Sequence, residues 1–447
     1  MPATKTQGRV SPARACALSV IRRVFEDGAY ADRAFTGEAA GLEQRDRALA
    51  MALAYGTVQR RATLDHVAAR LTDRRLERLD PPVLAVLRLG LYELLYMGGT
   101  AEHAAVNENV ELAKQARPHA AGLVNAVLRR AAREGPAILA GLDDGSPEDA
   151  AVFHSVPGWL ASKWWDELGA DEARALLRVV NDPAENVLRV NMIRAGVIQA
   201  GVGDLEAVGG VAAVAAALPV PNRPAPDLPE GIVLDGPFDV QGSELWASGA
   251  VQPQSRASML VSRTLAPRPS DRVLDLCAAP GGKTTHLAAL MEDRGEVVAV
   301  ERHPGRASAL ERTRARLGAS CVLVAVGDAA IPRTDGPFDK ILVDPPCSGL
   351  GTLQSRPDLR WRARPEAIGE LASLQARILA AGAQALAPGG ALVYSVCTIS
   401  RAESEGVVDA FLREHSDFVA EERVQLLPHR DGTDGFFIAR LGRVSAG

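Results

Sequence analysis

Two of the five cysteines in this 447-residue sequence lie in motifs that place a thiol beside polar or acidic side chains. Cys347 is part of Asp344-Pro-Pro-Cys-Ser-Gly349, and Cys397 is part of Tyr394-Ser-Val-Cys-Thr398. Each motif comes at the end of an apolar run typical of a buried β-strand. Because the carboxyl ends of neighbouring parallel strands meet at one edge of a sheet, we expect both thiols at the mouth of one cleft.

A thiol in such a cleft is a candidate nucleophile, and it suits methylation at carbon 5 of a cytosine. That carbon becomes nucleophilic only after a thiolate has added to carbon 6 of the ring and created an enamine. Asp344 is placed to protonate or hydrogen-bond the N3 edge of the base if burial raises its pKa. The residues alone leave both Cys347 and Cys397 open as the nucleophile, with the other thiol helping to remove the C5 proton or to release the enzyme. The three remaining cysteines are interpreted as small buried hydrophobes, and they are Cys16, Cys277 and Cys321.

A glycine-containing turn after the first predicted strand of this region indicates a ligand site. Backbone N–H groups approach a ligand closely at such a turn. A phosphate-cradling P-loop would need a glycine at position 277, and a G-x-G-x-x-G dinucleotide fingerprint is absent, so an adenosyl ligand without a pyrophosphate remains. The residues expected to line the site are Cys277, Ala278, Ala279, Pro280, Gly281, Gly282 and Lys283.

Acidic residues follow successive predicted strands and complete this ligand site. Glu301 is placed to accept both hydroxyl groups of a ribose, and Asp328 is within reach of an adenine amino group. Asp275, inside the first strand, is placed to assist at the amino-acid end of the ligand. A single acid at a strand end is more often a helix cap, but three at successive ends favour a cleft for S-adenosylmethionine.

The elements that must position these residues fall into three segments. Helical spacing of apolar residues over about 13–133 predicts five or six helices, and the turn-rich stretch 135–150 predicts a linker. Residues 150–265 are mixed, with a tryptophan-rich helix and a short strand at 187–191, and they predict a small α+β linking subdomain. From Asp271, strands alternate with helices, which is typical of a doubly wound α/β sheet. The predicted strands are Val273–Cys277, Val297–Val300, Val322–Val326, Ile341–Asp344, Ala391–Ser395 and Phe436–Leu441.

Composition limits the class of protein. Apolar residues make up 47% of the chain and charged residues 23%, as in globular proteins, and the net charge is −5. Basic residues outnumber acidic ones over 1–136, which suits either RNA phosphates or a solvated helical surface. The cysteines show no metal-ligand or disulfide spacing, and the sequence has neither a signal peptide nor a long apolar span. These features predict a cytoplasmic protein without a metal ion or a membrane partner.

The motifs resemble those of bacterial small-subunit ribosomal RNA cytosine-5 methyltransferases of the Sun/Fmu (RsmB-like) type, within the wider NOL1/NOP2/Sun family. The N-terminal helices resemble the NusB-like RNA-binding domain. The similarity extends over nearly the whole chain. It is carried by Leu274-Asp-Leu-Cys-Ala-Ala-Pro-Gly-Gly-Lys-Thr284, Asp344-Pro-Pro-Cys-Ser-Gly-Leu-Gly-Thr352, Arg356-Pro-Asp-Leu-Arg-Trp361, Tyr394-Ser-Val-Cys-Thr398, Val106-Asn-Glu-Asn-Val-Glu-Leu-Ala-Lys114 and Val124-Asn-Ala-Val-Leu-Arg129.

This resemblance implies a fold, a cofactor and residue roles. It implies a NusB-like helical domain at 1–136, a linking subdomain at 150–265 and a Rossmann-like catalytic domain at 266–447. It implies that Cys397 is the nucleophile and that Cys347 assists product release. Residues 277–283, Glu301, Asp328 and Asp344 would line the S-adenosylmethionine site. Two stretches differ from the usual family pattern, and they are Glu403-Ser-Glu405 and Val251-Gln-Pro-Gln-Ser255.

The predicted partner is RNA, most specifically small-subunit ribosomal RNA, with the target cytosine drawn out of its stack. DNA is not the expected substrate. Methylation of another RNA, such as transfer RNA, and a non-catalytic role in ribosome assembly are the alternatives, although the intact Cys347, Cys397 and Asp344 argue against the latter. Arg356, Arg360 and Trp361 are predicted to contact RNA.

Overall fold

The chain forms two units in the computed structural model, which describes residues 10–99, 101–193 and 210–444. The first unit comprises Met1–Asp182 and Leu353–Ala363, and the second comprises Pro183–Thr352 and Arg364–Gly447. The segment Leu353–Ala363 therefore belongs to the first unit although the residues on both sides of it belong to the second. This division differs from the predicted division into three consecutive domains.

The first unit is helical because its apolar residues recur at helical spacing and are buried together. Leu18, Ile21 and Val24 in the first helix belong to a single core to which six further helices contribute. Within the described residues up to 140 there are seven α-helices rather than the five or six predicted. The helices of the unit are α1 (Pro12–Phe25), α2 (Ala31–Glu38), α3 (Gln44–Gln59), α4 (Arg61–Leu71), α5 (Pro81–Tyr96), α6 (Glu102–Ala116), α7 (Ala121–Ala140), α8 (Pro147–Phe153), α9 (Gly158–Leu168), α10 (Ala170–Val179) and a one-turn helix (Leu359–Arg362).

Helix α7 corrects the predicted start of the linker. It continues through Gly135 and Pro136 as far as Ala140. Ile138 and Leu139 pack against the core of the first unit, so tertiary packing keeps the last turns helical despite the proline.

The second unit begins with a small antiparallel sheet. Its strand order is β2-β3-β1-β4. Strand β1 matches the predicted run at 187–191, and β2 lies in the proline-rich stretch 219–229. The elements are β1 (Asn186–Val190), α11 (Gly210–Ala217), β2 (Asn222–Ala225), β3 (Leu228–Leu234), a one-turn helix (Glu244–Ala247), β4 (Val251–Pro253) and α12 (Arg256–Leu265).

The larger sheet of the second unit has the strand order β10-β11-β9-β8-β5-β6-β7. Strands β5 to β9 are parallel, and β11 and β10 add to β9 in antiparallel pairs. The six predicted strands are present, and β10 was not predicted. The elements are β5 (Arg272–Leu276), α13 (Gly282–Leu290), β6 (Glu296–Glu301), α14 (Pro304–Leu317), β7 (Val322–Val326), β8 (Phe338–Val343), α15 (Pro365–Ala385), β9 (Leu386–Val396), α16 (Glu405–Glu414), β10 (Phe418–Leu426), a one-turn helix (Pro428–Asp431) and β11 (Phe436–Arg443).

Helices cover both faces of this sheet, as its nearly continuous apolar strands require. Leu274 and Leu276 of β5 belong to the core on one face, whereas Val273 belongs to the core on the other. Parallel pairing brings the carboxyl ends of β5, β6, β8 and β9 to one edge, and the strand order reverses between β5 and β8. Such a reversal opens a crevice in doubly wound sheets. Among the helices of the described residues, we find none with the length and apolar character needed to cross a bilayer.

Candidate active site

The two candidate catalytic cysteines come together as predicted, at the ends of adjacent strands. Cys347 follows β8 and Cys397 follows β9, and these strands pair in parallel. Their Sγ atoms lie 3.3 Å apart, and neither cysteine forms a disulfide. The distance corresponds to an S–H···S contact, so the protonation state of one sulfur depends on the other.

The surroundings of Cys347 favour its protonated form. Its hydrogen bond to Cys397 and its burial raise the pKa of the Cys347 thiol well above the ordinary value. If one sulfur of the pair ionises, Cys347 is therefore the group that retains its proton and donates it to the sulfur of Cys397.

Lys283 and Asp344 form an ion pair beside the thiols. Lys283 Nζ donates to Asp344 Oδ2 at 2.7 Å, and Ser395 Oγ donates to Asp344 Oδ1 at 2.9 Å. Burial opposes the charge on Lys283, but Asp344 and the nearby Cys397 outweigh it and raise the pKa of the lysine. Lys283 thus remains an ammonium group whose field favours a thiolate at Cys397. Its Nζ also lies 5.1 Å from the ring centroid of Phe436.

The turn after β5 has the backbone geometry of a ligand loop. Cys277 and Gly281 both have positive φ angles, of 67° and 102°. A Cβ at Gly281 would lie 2.5 Å from Leu310 Cδ1, so a side chain there would displace Leu310 and would also be strained by the positive φ. Helix α13 begins at Gly282, directly after this turn, and presents its free N–H groups at the sheet edge. Burial raises the pKa of the Cys277 thiol to about 12, which makes this cysteine an inert part of the loop.

The three predicted ligand carboxyl groups lie at or near the ends of β5, β6 and β7. Glu301 is 2% exposed, and its Oε1 accepts the N–H of His303 at 2.9 Å. Its Oε2 has no hydrogen-bond partner among the described residues, although Arg306 Nη1 lies 3.4 Å away. Asp328 Oδ1 accepts the N–H of Ala330 at 3.0 Å. An unsatisfied buried carboxylate oxygen is the feature expected of a site that receives ribose hydroxyl groups.

Asp275 lies within β5 and is 1% exposed. Its Oδ2 accepts a hydrogen bond from Thr284 Oγ1 at 2.6 Å, and Oδ1 has no partner among the described residues. Burial is the main cause that raises the pKa of Asp275 to about 7, with Asp344 adding to it. This carboxyl group therefore lies behind the loop, where it ties the first turn of α13 to the strand.

Arg360, one of the three predicted RNA contacts, belongs instead to the interior of the first unit, and Trp361 is half-buried. Arg360 is 0% exposed and donates to the carbonyl oxygens of Ser155 at 3.0 Å and Val180 at 3.3 Å. Trp361 Nε1 donates to Val58 O at 2.7 Å. The prediction was wrong for Arg360 because an arginine in a polar motif was taken to be a surface residue, whereas the RNA contact of Trp361 stays a prediction. Arg356 is exposed, as an RNA contact requires.

The sequence reasoning missed a buried polar cluster behind the cysteines. Glu403 is 0% exposed, and its carboxyl group accepts hydrogen bonds from Ser348 and Gln375. Tyr394 donates to the main-chain oxygen of Glu403 at 2.6 Å. The only sequence signal was that Glu403 lies in a stretch that differs from the family pattern, which gave no indication of burial.

Comparison with known proteins identifies the family. The family described as 16S rRNA methyltransferase RsmB/F matches residues 262–442, and the NusB family matches residues 11–133. A probable ribosomal RNA small subunit methyltransferase B from Bacillus subtilis is 33% identical to this chain over 96% of its length and 98% of the relative. The chain belongs to the RsmB/F family of 16S rRNA methyltransferases.

Other comparisons agree over nearly the full length. The ribosomal RNA small subunit methyltransferase B of Thermus thermophilus is 36% identical, over 98% of this chain and 99% of the relative. The crystal structure of PH0851 superposes with a TM-score of 0.78 and 27% identity, covering 97% of this chain and 99% of that one. The RsmB/F chain therefore combines an N-terminal NusB-family region with a Rossmann-like methyltransferase sheet, as the motifs predicted.

Proposed function

We propose that the chain transfers a methyl group from S-adenosyl-L-methionine to carbon 5 of a cytosine in small-subunit ribosomal RNA, with Cys397 as the nucleophile. The observation that carries this proposal is the 3.3 Å contact between the sulfurs of Cys347 and Cys397 beside the Lys283–Asp344 ion pair. Family membership supports RNA methylation, and the thiol pair supports carbon 5 of a pyrimidine as the acceptor.

The cofactor is held by the loop after β5 and by the strand-end carboxyl groups. Glu301 is the acceptor for the ribose hydroxyl groups, Asp328 for the adenine amino group, and residues 277–283 enclose the amino-acid end. The Oε2 of Glu301, which has no hydrogen-bond partner among the described residues, and the positive φ of Gly281 fit this assignment. When bound, S-adenosyl-L-methionine supplies the electrophilic methyl group that carbon 5 accepts.

Cys397 begins the reaction because its environment favours a thiolate. The Lys283 ammonium group stabilises the negative charge, and the Cys347 thiol donates a hydrogen bond to the same sulfur. A new bond between Cys397 Sγ and carbon 6 moves electron density to carbon 5 and to the N3 edge. The Asp344 and Lys283 pair interacts with the N3 edge of the base. A proton from this pair limits the negative charge that develops at N3.

Cys347 acts after carbon 5 has received its methyl group. Its pKa is raised by the hydrogen bond to Cys397 and by burial. Once Cys397 is bonded to carbon 6, its sulfur no longer carries a charge. The hydrogen bond to a Cys397 thiolate then no longer raises the pKa of Cys347, which ionises more readily. After its own proton has passed to water, Cys347 accepts the C5 proton while the double bond between carbons 5 and 6 forms again. N3 returns its proton to the Asp344 and Lys283 pair, the bond between Sγ and carbon 6 breaks, and Cys397 leaves as a thiolate.

The proposal is tested with purified protein, small-subunit ribosomal RNA and S-adenosylmethionine carrying a labelled methyl group. Cys397→Ala is expected to lower kcat by roughly 1,000-fold or more, because no other group replaces the nucleophile. Cys347→Ala is expected to accumulate a covalent protein–RNA adduct that survives denaturing electrophoresis. Cys321→Ala, which changes a thiol at the start of β7, is the matched control and should retain normal turnover.

Two results would overturn the proposal. One is normal turnover by Cys397→Ala, and the other is a methylated nucleoside other than 5-methylcytosine in digests of the product. The same assay with transfer RNA decides between the two classes of RNA. Faster methylation of transfer RNA than of ribosomal RNA would show that transfer RNA, and not the proposed ribosomal RNA, is the substrate.

The N-terminal unit is proposed to bind the RNA. This assignment rests on the NusB-family match over residues 11–133 and on the excess of basic residues there. The target cytosine must leave its stack to reach thiols that lie at the mouth of a cleft. The affinity of the full chain for small-subunit RNA is expected to fall steeply with salt, and a salt-independent affinity would contradict this role.

A further inference from the structure

The buried carboxyl group of Glu403 contacts the residue that follows each cysteine. Its Oε1 accepts the backbone N–H of Ser348 at 2.8 Å, and its Oε2 accepts Ser348 Oγ at 2.5 Å. Thr398 Oγ1 lies 3.4 Å from Oε2 and 2.8 Å from Ser348 Oγ. Ser348 directly follows Cys347, and Thr398 directly follows Cys397, so one side chain joins the two cysteine loops.

A second set of contacts fixes Glu403 itself. Gln375 Nε2, on α15, donates to Glu403 Oε1 at 3.1 Å and to Pro346 O at 2.9 Å. Tyr394 OH, on β9, lies 2.6 Å from Glu403 O and 3.1 Å from Gln375 Oε1. Glu403, Gln375 and Tyr394 are all 0% exposed. The helix therefore holds the carboxyl group of Glu403, the strand holds its main-chain oxygen, and Gln375 also binds the loop before Cys347.

Burial of this group needs a reason beyond stability. A carboxylate removed from water loses hydration, which hydrogen bonds repay only in part, so an apolar side chain would fill the space at a lower energetic cost. What an apolar side chain would not provide is an acceptor for the Ser348 N–H and hydroxyl groups. Those two hydrogen bonds set the direction in which the chain leaves Cys347.

We infer that Glu403 is a positioning residue for the thiol pair, which keeps the Cys347 and Cys397 loops at the separation that brings their sulfurs into contact. The inference rests on the proposed role of these cysteines. Glu403 does not touch the reacting atoms; it acts through Ser348 and Thr398. Its loss is expected to slow the chemical step and to leave cofactor binding at the loop after β5 unchanged.

The test compares Glu403→Gln with Glu405→Gln. Glutamine keeps the size of Glu403 but replaces one acceptor oxygen by an NH2 group, which faces donors. Glu405 lies two residues further, is exposed, and pairs only loosely with Arg401 at 3.9 Å, so it is the matched control. We expect Glu403→Gln to lower kcat by about 10- to 100-fold, as for a small misplacement of reacting groups, with the KM values for cofactor and RNA changed less than about twofold.

A separate readout reports on the sulfurs themselves. The rate at which iodoacetamide alkylates Cys397, measured against pH, gives the pKa of that thiol in each variant. Because the contact with Cys347 and Lys283 favours the thiolate, Glu403→Gln is expected to move this profile to higher pH, and Glu405→Gln is not. A purely structural role would lower thermal stability without a shift of the profile.

The outcomes separate this inference from the proposed function. If the wild-type chain forms no 5-methylcytosine, the proposed function fails first. If the wild-type chain is active and Glu403→Gln matches Glu405→Gln in kcat and in the alkylation profile, the positioning role is overturned. If Glu403→Gln does not fold, Ser348→Ala decides: a lower kcat at unchanged KM supports the role, and wild-type kcat overturns it.

Discussion

At the scale of single residues, the surroundings of chemically similar groups assign them different roles. Cys277 is a half-buried thiol whose pKa is raised to about 12 by partial burial, whereas Cys397 lies near the ammonium group of Lys283. Asp275 and Asp344 differ in the same way: the first is enclosed behind the loop, and the second pairs with Lys283 at the cleft. Residue type alone does not separate the members of either pair, but solvation and neighbouring charge do.

Asp275 makes the stability of the second unit depend on pH. Its pKa is 3.8 in the unfolded chain and is raised to about 7 by burial in the folded chain. Between these values the folded state holds a proton that the unfolded chain has released, so the free energy of unfolding falls as the pH rises through this window. At about 1.4 kcal/mol per pKa unit, this loss amounts to at most about 4 kcal/mol.

Asp275→Asn is expected to remove this loss, because asparagine still accepts the hydrogen bond from Thr284 but does not ionise. Urea unfolding at pH 5 and at pH 8 checks the prediction: the midpoint of the wild-type chain should fall between the two, and that of Asp275→Asn should fall much less. Glu370→Gln, an exposed change on α15, should keep the wild-type dependence. An equal fall in Asp275→Asn would contradict the assignment.

At the scale of elements, the cysteine loops depend on a close approach of three segments. Gly351 N donates to Cys397 O at 3.0 Å, and Gly435 N, just before β11, donates to Gly351 O at 2.8 Å. A Cβ at Gly351 would lie 1.9 Å from Gly435 O, a distance that no rotamer relieves because the backbone fixes the position of the Cβ and the other atom is a main-chain oxygen. The loop after β8, the end of β9 and the start of β11 thus fit together only with glycine at this position.

Gly351→Ala is expected to force these segments apart. We expect at least a roughly tenfold loss of kcat from displacement of Cys397, together with a loss of about 1–3 kcal/mol in stability from overpacking. Gly369→Ala is the control, since a Cβ at that exposed position on α15 meets nothing within 4 Å. Steady-state methyl transfer and thermal unfolding measure both effects, and a Gly351→Ala variant as active as the control would refute the argument.

At the scale of the whole molecule, each unit has its own core, yet the chain does not divide into consecutive domains. The segment Leu353–Ala363 comes shortly after Cys347 in sequence but belongs to the first unit. Arg360 holds it there through Ser155, Val180 and Asn181, with a distance of 2.8 Å from Nη1 to Asn181 Oδ1. Arg360 therefore has a structural role in the interior of the helical unit.

Arg360→Met is expected to destabilise the first unit by on the order of 3 kcal/mol, because it leaves several buried acceptors without a donor. Arg356→Met changes an exposed arginine of the same segment and should have little effect on stability. Thermal unfolding of the full chain compares the two. If both variants unfold at the wild-type temperature, the buried hydrogen bonds of Arg360 do not stabilise the unit.

Much of the architecture was encoded locally and could be predicted. The strands of the parallel sheet are short apolar runs, and the helices of the first unit follow from apolar spacing, because both patterns depend on neighbouring residues. The meeting of Cys347 with Cys397 followed from the rule that parallel strands end at one edge, and the cofactor loop followed from its glycines.

Tertiary structure alone decided which polar residues are buried and what they bind. Glu403 reaches Ser348 across 55 residues of sequence, and Arg360 reaches Ser155 across 205. The continuation of α7 past Pro136 likewise depends on packing against other helices. Local patterns cannot encode these features, because the free energy of a buried charge is set by the donors and acceptors that distant segments bring to it.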